Sequence, residues 1–340
     1  MSALIKKIAN FKWIFIVGSM ILSACTSTSS VNNPTQSAEE PGGRGGSPQE
    51  VVEVSPTPEA AQSSKEPQAA EIPTATPTFP SDEEPPSGAT SQFSTDFSKH
   101  SVPYDEILSG GPPKDGIPAI DNPIFVNIEE ADEWLEPQEP VILFEVNDDA
   151  RAYPLQILTW HEIANDVVGG EPVVVTFCPL CNTAIAFERT VNGQVLDFGT
   201  TGRLRFSNLI MYDRQTETWW QQASGEAIAG EMTGEQLEFL PATIIGWDQF
   251  KNEHPNGRVL SRETGFNRAY GRNPYTGYDN INSSPFLFRG PETPGELPPM
   301  ARVLAVDTGQ QAVAYPYRVL QEVHAVNDTI SDHEVVVIWE

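Results

Sequence analysis

Between residues 141 and 340, apolar positions recur mostly every second residue, in short runs separated by Gly, Asn, Asp and Pro. This is the signature of half-buried strands joined by tight turns. Val141 to Val146 leads through a polar turn into a second strand ending in Ala152-Tyr153-Pro154, and a short helical segment follows. After Asn165-Asp166, the Gly169-Gly170 pair predicts a hairpin into Val173-Val174-Val175, and Asn192-Gly193 predicts another. Trp247, Phe250 and Lys251 have the spacing of one short helix that stops before Pro255. The expected fold is therefore α+β and β-rich, with antiparallel strands and hairpins and short helices. The long helices that a parallel α/β sheet requires have no counterpart in the pattern.

Shifting the chain by 162 positions aligns residues 141–177 with 303–339 without a gap, and eleven of the 37 positions are identical. An internal duplication of a β-β-α-β-β unit is expected. Residues common to both copies read as scaffold: Tyr153 and Tyr315 as packing residues, Pro154 and Pro316 as helix starts, Asn165 and Asn327 as turn residues. Residues that differ are where chemistry is sought. His161 stands against Val323, and Cys178 against Glu340, after which the second copy has no following strand pair.

The first 100 residues have a different composition. MSALIKKIANFKWIFIVGSMILSAC places Lys6, Lys7 and Lys12 ahead of a short apolar run ending in Leu22-Ser23-Ala24-Cys25. This reads as a signal peptide over residues 1–25 whose lipobox leaves Cys25 as the lipid anchor, attaching the chain to a bacterial membrane outside the cytoplasm. Residues 26–100, rich in Pro, Ser, Thr and Glu, read as a disordered tether. Residues 101–340 then form a single domain. It carries 14 Lys and Arg against 36 Asp and Glu, a net charge of −22 within a chain total of −27. Such acidity excludes nucleic acid as a partner, since phosphate binding needs clustered cations.

With Cys25 assigned to the anchor, Cys178 and Cys181 remain, spaced C-x-x-C at the end of the Val-rich strand. If Gly169-Gly170 closes a two-residue hairpin, Val168 faces Glu171, Asp166 faces Val173, and His161 faces Cys178, with Cβ atoms about 4.5–5.5 Å apart. Cys178, Cys181 and His161 would then hold zinc or copper, with a fourth position open or filled by another donor. A second reading is a redox dithiol in which Cys178 attacks and Cys181 resolves. A third is a structural disulfide beside a small-ligand cleft lined by Trp220, Gln221, Asn208, Arg262 and Arg268, with Lys114 and Asp121 in the Gly- and Pro-rich loop before it. Asn182 stands where a c-type haem motif needs histidine, and no Ser-His-Asp order, P-loop or dinucleotide fingerprint is present.

The segments GGPPKDGIPAIDNPIF, AYPLQILTWHEIANDVVGGEPVVVTFCPLCNTAIAF, MYDRQTETWWQQASGEAIAG and HPNGRVLSRETGFNRAYGRNPY resemble the family of domain of unknown function 3179. The resemblance implies a secreted or membrane-attached β-rich domain with a C-P-L-C motif after a Val-rich strand. It implies no activity or substrate.

Overall fold

A computed structural model describes residues 83–340, apart from 276, 279, 292–294, 309 and 340. The expected signal peptide, Cys25 and the tether as far as residue 82 lie outside the described residues.

Strands β1 (Ile107–Ser109) and β2 (Phe125–Val126) precede helix α1 (Ile128–Asp132). Next come β3 (Pro140–Val146), β4 (Asp149–Pro154), α2 (Leu155–His161), β5 (Ile163–Val168) and β6 (Glu171–Cys178). A run of strands follows: β7 (Thr183–Glu188), the small hairpin β8 (Thr190–Val191) and β9 (Gln194–Val195), β10 (Phe198–Arg205), β11 (Asn208–Asp213), β12 (Trp219–Gln221), β13 (Glu226–Ala229), β14 (Glu238–Leu240) and β15 (Ala242–Gly246). Helix α3 (Trp247–Glu253) and β16 (Arg258–Leu260) complete this part. Beyond lie β17 (Val303–Asp307), β18 (Ala312–Pro316), α4 (Tyr317–Val323), β19 (Ala325–Ile330) and β20 (His333–Ile338). The described residues thus form a strand-rich α+β fold with short helices.

Three sheets stack, and the two-residue period of each strand decides what lies between them. The first runs β1-β10-β11-β12-β13, the second β14-β7-β6-β5, the third β15-β3-β4-β16-β2. On β6, Val174 and Cys178 face the first sheet and pack with Leu209, Met211 and Trp220. Val173, Val175 and Phe177 face the third and pack with Ile142, Phe144 and Tyr153. Burial on both faces explains why β6 reads as a continuous apolar run instead of an alternation. The outer face of the first sheet is covered by Ala89, Phe93 and Phe97 against Trp219. That of the third is covered by Ala131 of α1 and by Trp247 and Phe250 of α3. The fold therefore begins before residue 101: two phenylalanines four apart supply the buried surface that the Ser-rich, polar context of residues 91–100 disguised.

Both predicted hairpins form. Gly169 and Gly170 take φ of 57° and 90°, and Asn192 and Gly193 take 51° and 78°, the left-handed pair that a two-residue turn requires. Asp166 pairs with Val173 and Val168 with Glu171, as expected. The ladder ends at Ile163 opposite Thr176, however, because α2 continues through His161 and Glu162 turns the chain at φ 60°. His161 therefore does not face Cys178, whose strand partner is Thr183. Asn165 is likewise no turn residue: it is buried in β5, where its carboxamide donates to Phe198 O at 2.8 Å and accepts from Phe198 N at 2.8 Å. It stitches the second sheet to the first.

The element order β3-β4-α2-β5-β6 recurs as β17-β18-α4-β19-β20, and with it several hydrogen bonds. Tyr153 donates to Asp166 at 2.6 Å and Tyr315 to Asp328 at 2.8 Å. Phe177 N donates to Glu162 O and Trp339 N to His324 O, both at 2.8 Å. The C-cap residues Glu162 and His324 both take φ 60°.

Candidate functional site

The stacking of sheets decides what surrounds the cysteines. Cys178, the last residue of β6, is 1 % exposed, and its Sγ lies 3.9 Å from Ser207 O in the β10–β11 turn. Pro179 is half-buried and Leu180 still packs in the core, and the next residue, Cys181, is exposed. Both thiols are free. The Asn208 amide donates to Cys181 Sγ at 3.1 Å. Its orientation is determined by the rest of the network: Oδ1 accepts from Gln221 Nε2 and from Ala223 N at 3.0 Å, so the NH2 group must point to the sulfur and to Gln222 Oε1 at 2.8 Å.

The two sulfurs titrate in opposite directions. For Cys181, the Cys178 thiol donating to it lowers the pKa most; partial desolvation opposes this, and Thr183 and Asn208 lower it further. For Cys178, burial raises the pKa most, and the hydrogen bond to Cys181 with the negative charges of Cys181 and Glu162 adds to it. The accessible, thiolate-forming sulfur is therefore Cys181, and the buried thiol is Cys178. The sequence reading had the attacking role on Cys178; the strand's burial on both faces is what transfers it.

Glu162, unnoticed in the sequence, is the third titratable group. The left-handed turn after α2 leaves it 7 % exposed. Burial, and then the negative charge of Cys181, push its carboxyl up to about 8. A carboxyl whose folded pKa lies above its unfolded value of 4.5 contributes stability that is full below that value and lost as pH rises towards 8. The Glu162→Gln variant, neutral throughout, should therefore lose less thermal stability between pH 5 and pH 8 than the parent. Differential scanning calorimetry at several pH values would test this, and parallel slopes would count against the buried, neutral acid.

His161 is buried, and both of its ring nitrogens have partners other than the cysteines. Its Nδ1 lies 2.7 Å from Pro118 O, and a carbonyl only accepts, so Nδ1 carries the proton. Burial lowers the imidazole pKa most, against the Pro118 bond that raises it and with Arg268 lowering it further. In the neutral ring Nε2 accepts from Tyr270 O–H at 2.6 Å. Both nitrogens are used in pinning the end of α2. Among the described residues, no group of three or more His, Cys, Asp or Glu gathers as a metal site.

The other candidates separate into site and scaffold. Asn208 belongs to the site. Trp220 is fully buried, with its indole N–H donating to Asp213 at 3.0 Å, and Gln221 is buried behind Asn208. Lys114 pairs with Glu217 and lies over the rings of Phe93 and Tyr212. Asp121 accepts from Arg214 at 2.5 Å and Asn165 at 2.9 Å. Arg262 holds Gln156 and stacks over Trp134 at 4.5 Å, while Arg268 lies near His161 with its Nε buried and without a hydrogen-bond partner among the described residues.

A cavity of 530 Å³ opens onto Cys181 and is lined also by Phe206, Ser207, Arg272, Tyr275 and Arg302. Glu162 faces a second cavity of 270 Å³. Leu180, Tyr275 and Tyr278 line both. Four of the twelve described non-glycine residues with positive φ lie here: Glu162, Asn182, Phe206 and Ser207 take φ of 60°, 51°, 52° and 66°. Left-handed conformations of bulky residues cost roughly 1–2 kcal/mol each and collect at functional sites.

Fold and site define a class of protein: a strand-rich α+β domain in which a C-x-x-C dithiol, one sulfur buried and one open to a cavity, abuts a buried carboxyl. The chain belongs to the family described as protein of unknown function, DUF3179, whose sequence profile matches residues 114–340. No curated protein and no solved structure matches the chain.

Proposed function

We propose that this domain carries out thiol–disulfide exchange, with Cys181 as the attacking thiolate, Cys178 as the resolving thiol and Glu162 as the group that takes and returns the Cys178 proton. One observation carries the reading: Cys181 is open to a cavity and accepts from Asn208, which favours its thiolate, while Cys178 beside it is buried, which favours its thiol. Thiolate, not thiol, is the nucleophile, and Glu162, neutral at rest at the edge of the core, becomes a proton acceptor once it has given its own proton to the first leaving thiolate. The metal reading loses its third donor to the Pro118 and Tyr270 contacts of His161. We read the two β-β-α-β-β units as an internal duplication in which the first copy alone carries the dithiol and its acid. Attachment outside the cytoplasm through Cys25 and the tether would place the pair where disulfides persist.

Alkylation of the reduced full-length chain tests this. With peptide mapping of iodoacetamide adducts across pH, Cys181 should react with an apparent pKa below that of an ordinary thiol, Cys178 should stay protected, and mild oxidation should join the two sulfurs. A Cys181 no more reactive than free cysteine, together with no intramolecular disulfide, would reject the reading.

A further inference from the structure

The cavity in front of Cys181 differs in charge from the rest of the domain. Residues 101–340 carry 36 acidic against 14 basic side chains. Half of those cations are consumed: Lys114, Arg151, Arg189, Arg205, Arg214, Lys251 and Arg258 are each within ion-pair distance of a carboxylate. Arg272 and Arg302 make no ion pair with any described residue, and both line the cavity that opens onto Cys181. The carboxylate that shares this wall, Glu139, accepts from Gln156. A further polar group faces the same space. Ser207 is 2 % exposed, sits in a strained turn at φ 66°, and its hydroxyl has no hydrogen-bond partner among the described residues.

Resting on the exchange reading above, we propose that the substrate is a low-molecular-weight disulfide bearing carboxylates, held by Arg272 and Arg302 with one sulfur against Cys181. Guanidinium groups match carboxylates in geometry and stay charged at every relevant pH. A volume of 530 Å³ suits a small molecule. The long-range field of the acidic domain opposes an anion. At about 0.15 M salt it is screened within about 8 Å, so the two local arginines decide. In the reaction, the Cys181 thiolate attacks one sulfur of R–S–S–R, the S–S bond breaks, and R–S⁻ leaves. The departing R–S⁻ takes the proton of the neutral Glu162 carboxyl; Cys178 then loses its proton to the Glu162 carboxylate so formed and attacks Cys181 Sγ, displacing the second R–S⁻, which receives that proton from Glu162. The dithiol is oxidised to the Cys178–Cys181 disulfide and the substrate is reduced to two thiols.

The test uses the reduced full-length chain and three disulfides of similar size: 3,3′-dithiodipropionate, bis(2-hydroxyethyl) disulfide and cystamine. Rates of mixed-disulfide formation at Cys181, at about 0.15 M salt, are each divided by the rate of the same disulfide with a small neutral thiol. The dicarboxylate should exceed the neutral compound by about tenfold or more and cystamine should be slowest. In the Arg272→Gln/Arg302→Gln variant the ratio of dicarboxylate to neutral should collapse to near one. Equal normalised rates for the three compounds in the parent chain, or a preference that survives the double substitution, would overturn this assignment while leaving exchange itself intact. Failure of all three to react at Cys181 would remove both.

Discussion

Replacing Cys181 by serine should reduce disulfide exchange to the level of uncatalysed solution chemistry, whereas replacing Cys178 by serine should leave the first step and abolish the second. The difference follows from access. Cys181 is exposed and partnered by Asn208 at 3.1 Å, while Cys178 is 1 % exposed behind it. In the Cys178→Ser variant the mixed disulfide at Cys181 has no internal thiol to resolve it, so an adduct should accumulate stoichiometrically and be visible by intact mass. In the Cys181→Ser variant no adduct should form on the timescale of the parent reaction, because the remaining thiol is buried and protonated. Adducts appearing only on Cys178 would reverse the roles given to the two sulfurs.

The largest stability effect should come from Asp166. It is buried with Arg151, whose Nη1 donates to it at 2.6 and 2.7 Å, and it also accepts from Tyr153 O–H at 2.6 Å and Val167 N at 2.7 Å. The Asp166→Ala change leaves the Tyr153 phenol without its acceptor inside the third sheet's core and the buried Arg151 guanidinium with Asp149 as its one remaining carboxylate among the described residues. Breaking a buried ion pair from one side costs about 3–5 kcal/mol, a large share of the roughly 5–15 kcal/mol that holds a domain together. The β17-β18-α4-β19-β20 unit supplies the control. Asp328 accepts from Tyr315 at 2.8 Å but has no arginine partner among the described residues, since Val313 stands where Arg151 does. Its alanine variant should lose only about 1 kcal/mol, the net worth of ordinary hydrogen bonds. Urea midpoints of the two variants compare them directly; equal losses would mean that the charge pair contributes little.

Much of this was legible in the chain. Hairpins at Gly169-Gly170 and Asn192-Gly193, the helix at Trp247 and the strand-rich fold followed from turn chemistry and period. The register of β5 and β6 also followed, to within two residues of its end. There the reading failed for a physical reason: α2 runs through His161, which the ladder arithmetic assumed to be strand, and Glu162 turns the chain at φ 60° before β5 begins. Glu162 was nonetheless findable. It differs from its counterpart His324 just as His161 differs from Val323, and an acidic residue between apolar segments, where a helix gives way to a central strand, is costly unless used. The Phe206-Ser207 turn was harder to foresee, because strand alternation predicts a turn there but favours Asn-Gly, and two bulky left-handed residues can be justified only by their surroundings.

Burial of β6 on both faces also makes Cys178 a gauge of how often the sheets part. Nothing larger than the sulfur's neighbours reaches it while Val174 and Trp220 stay packed. In a Cys181→Ser background, its native-state labelling rate against denatured controls converts directly into the free energy of local opening at the centre of the stack. Amide hydrogen exchange along β6, compared between the reduced and the oxidised parent, would tell whether closing the disulfide tightens that seam or loosens it.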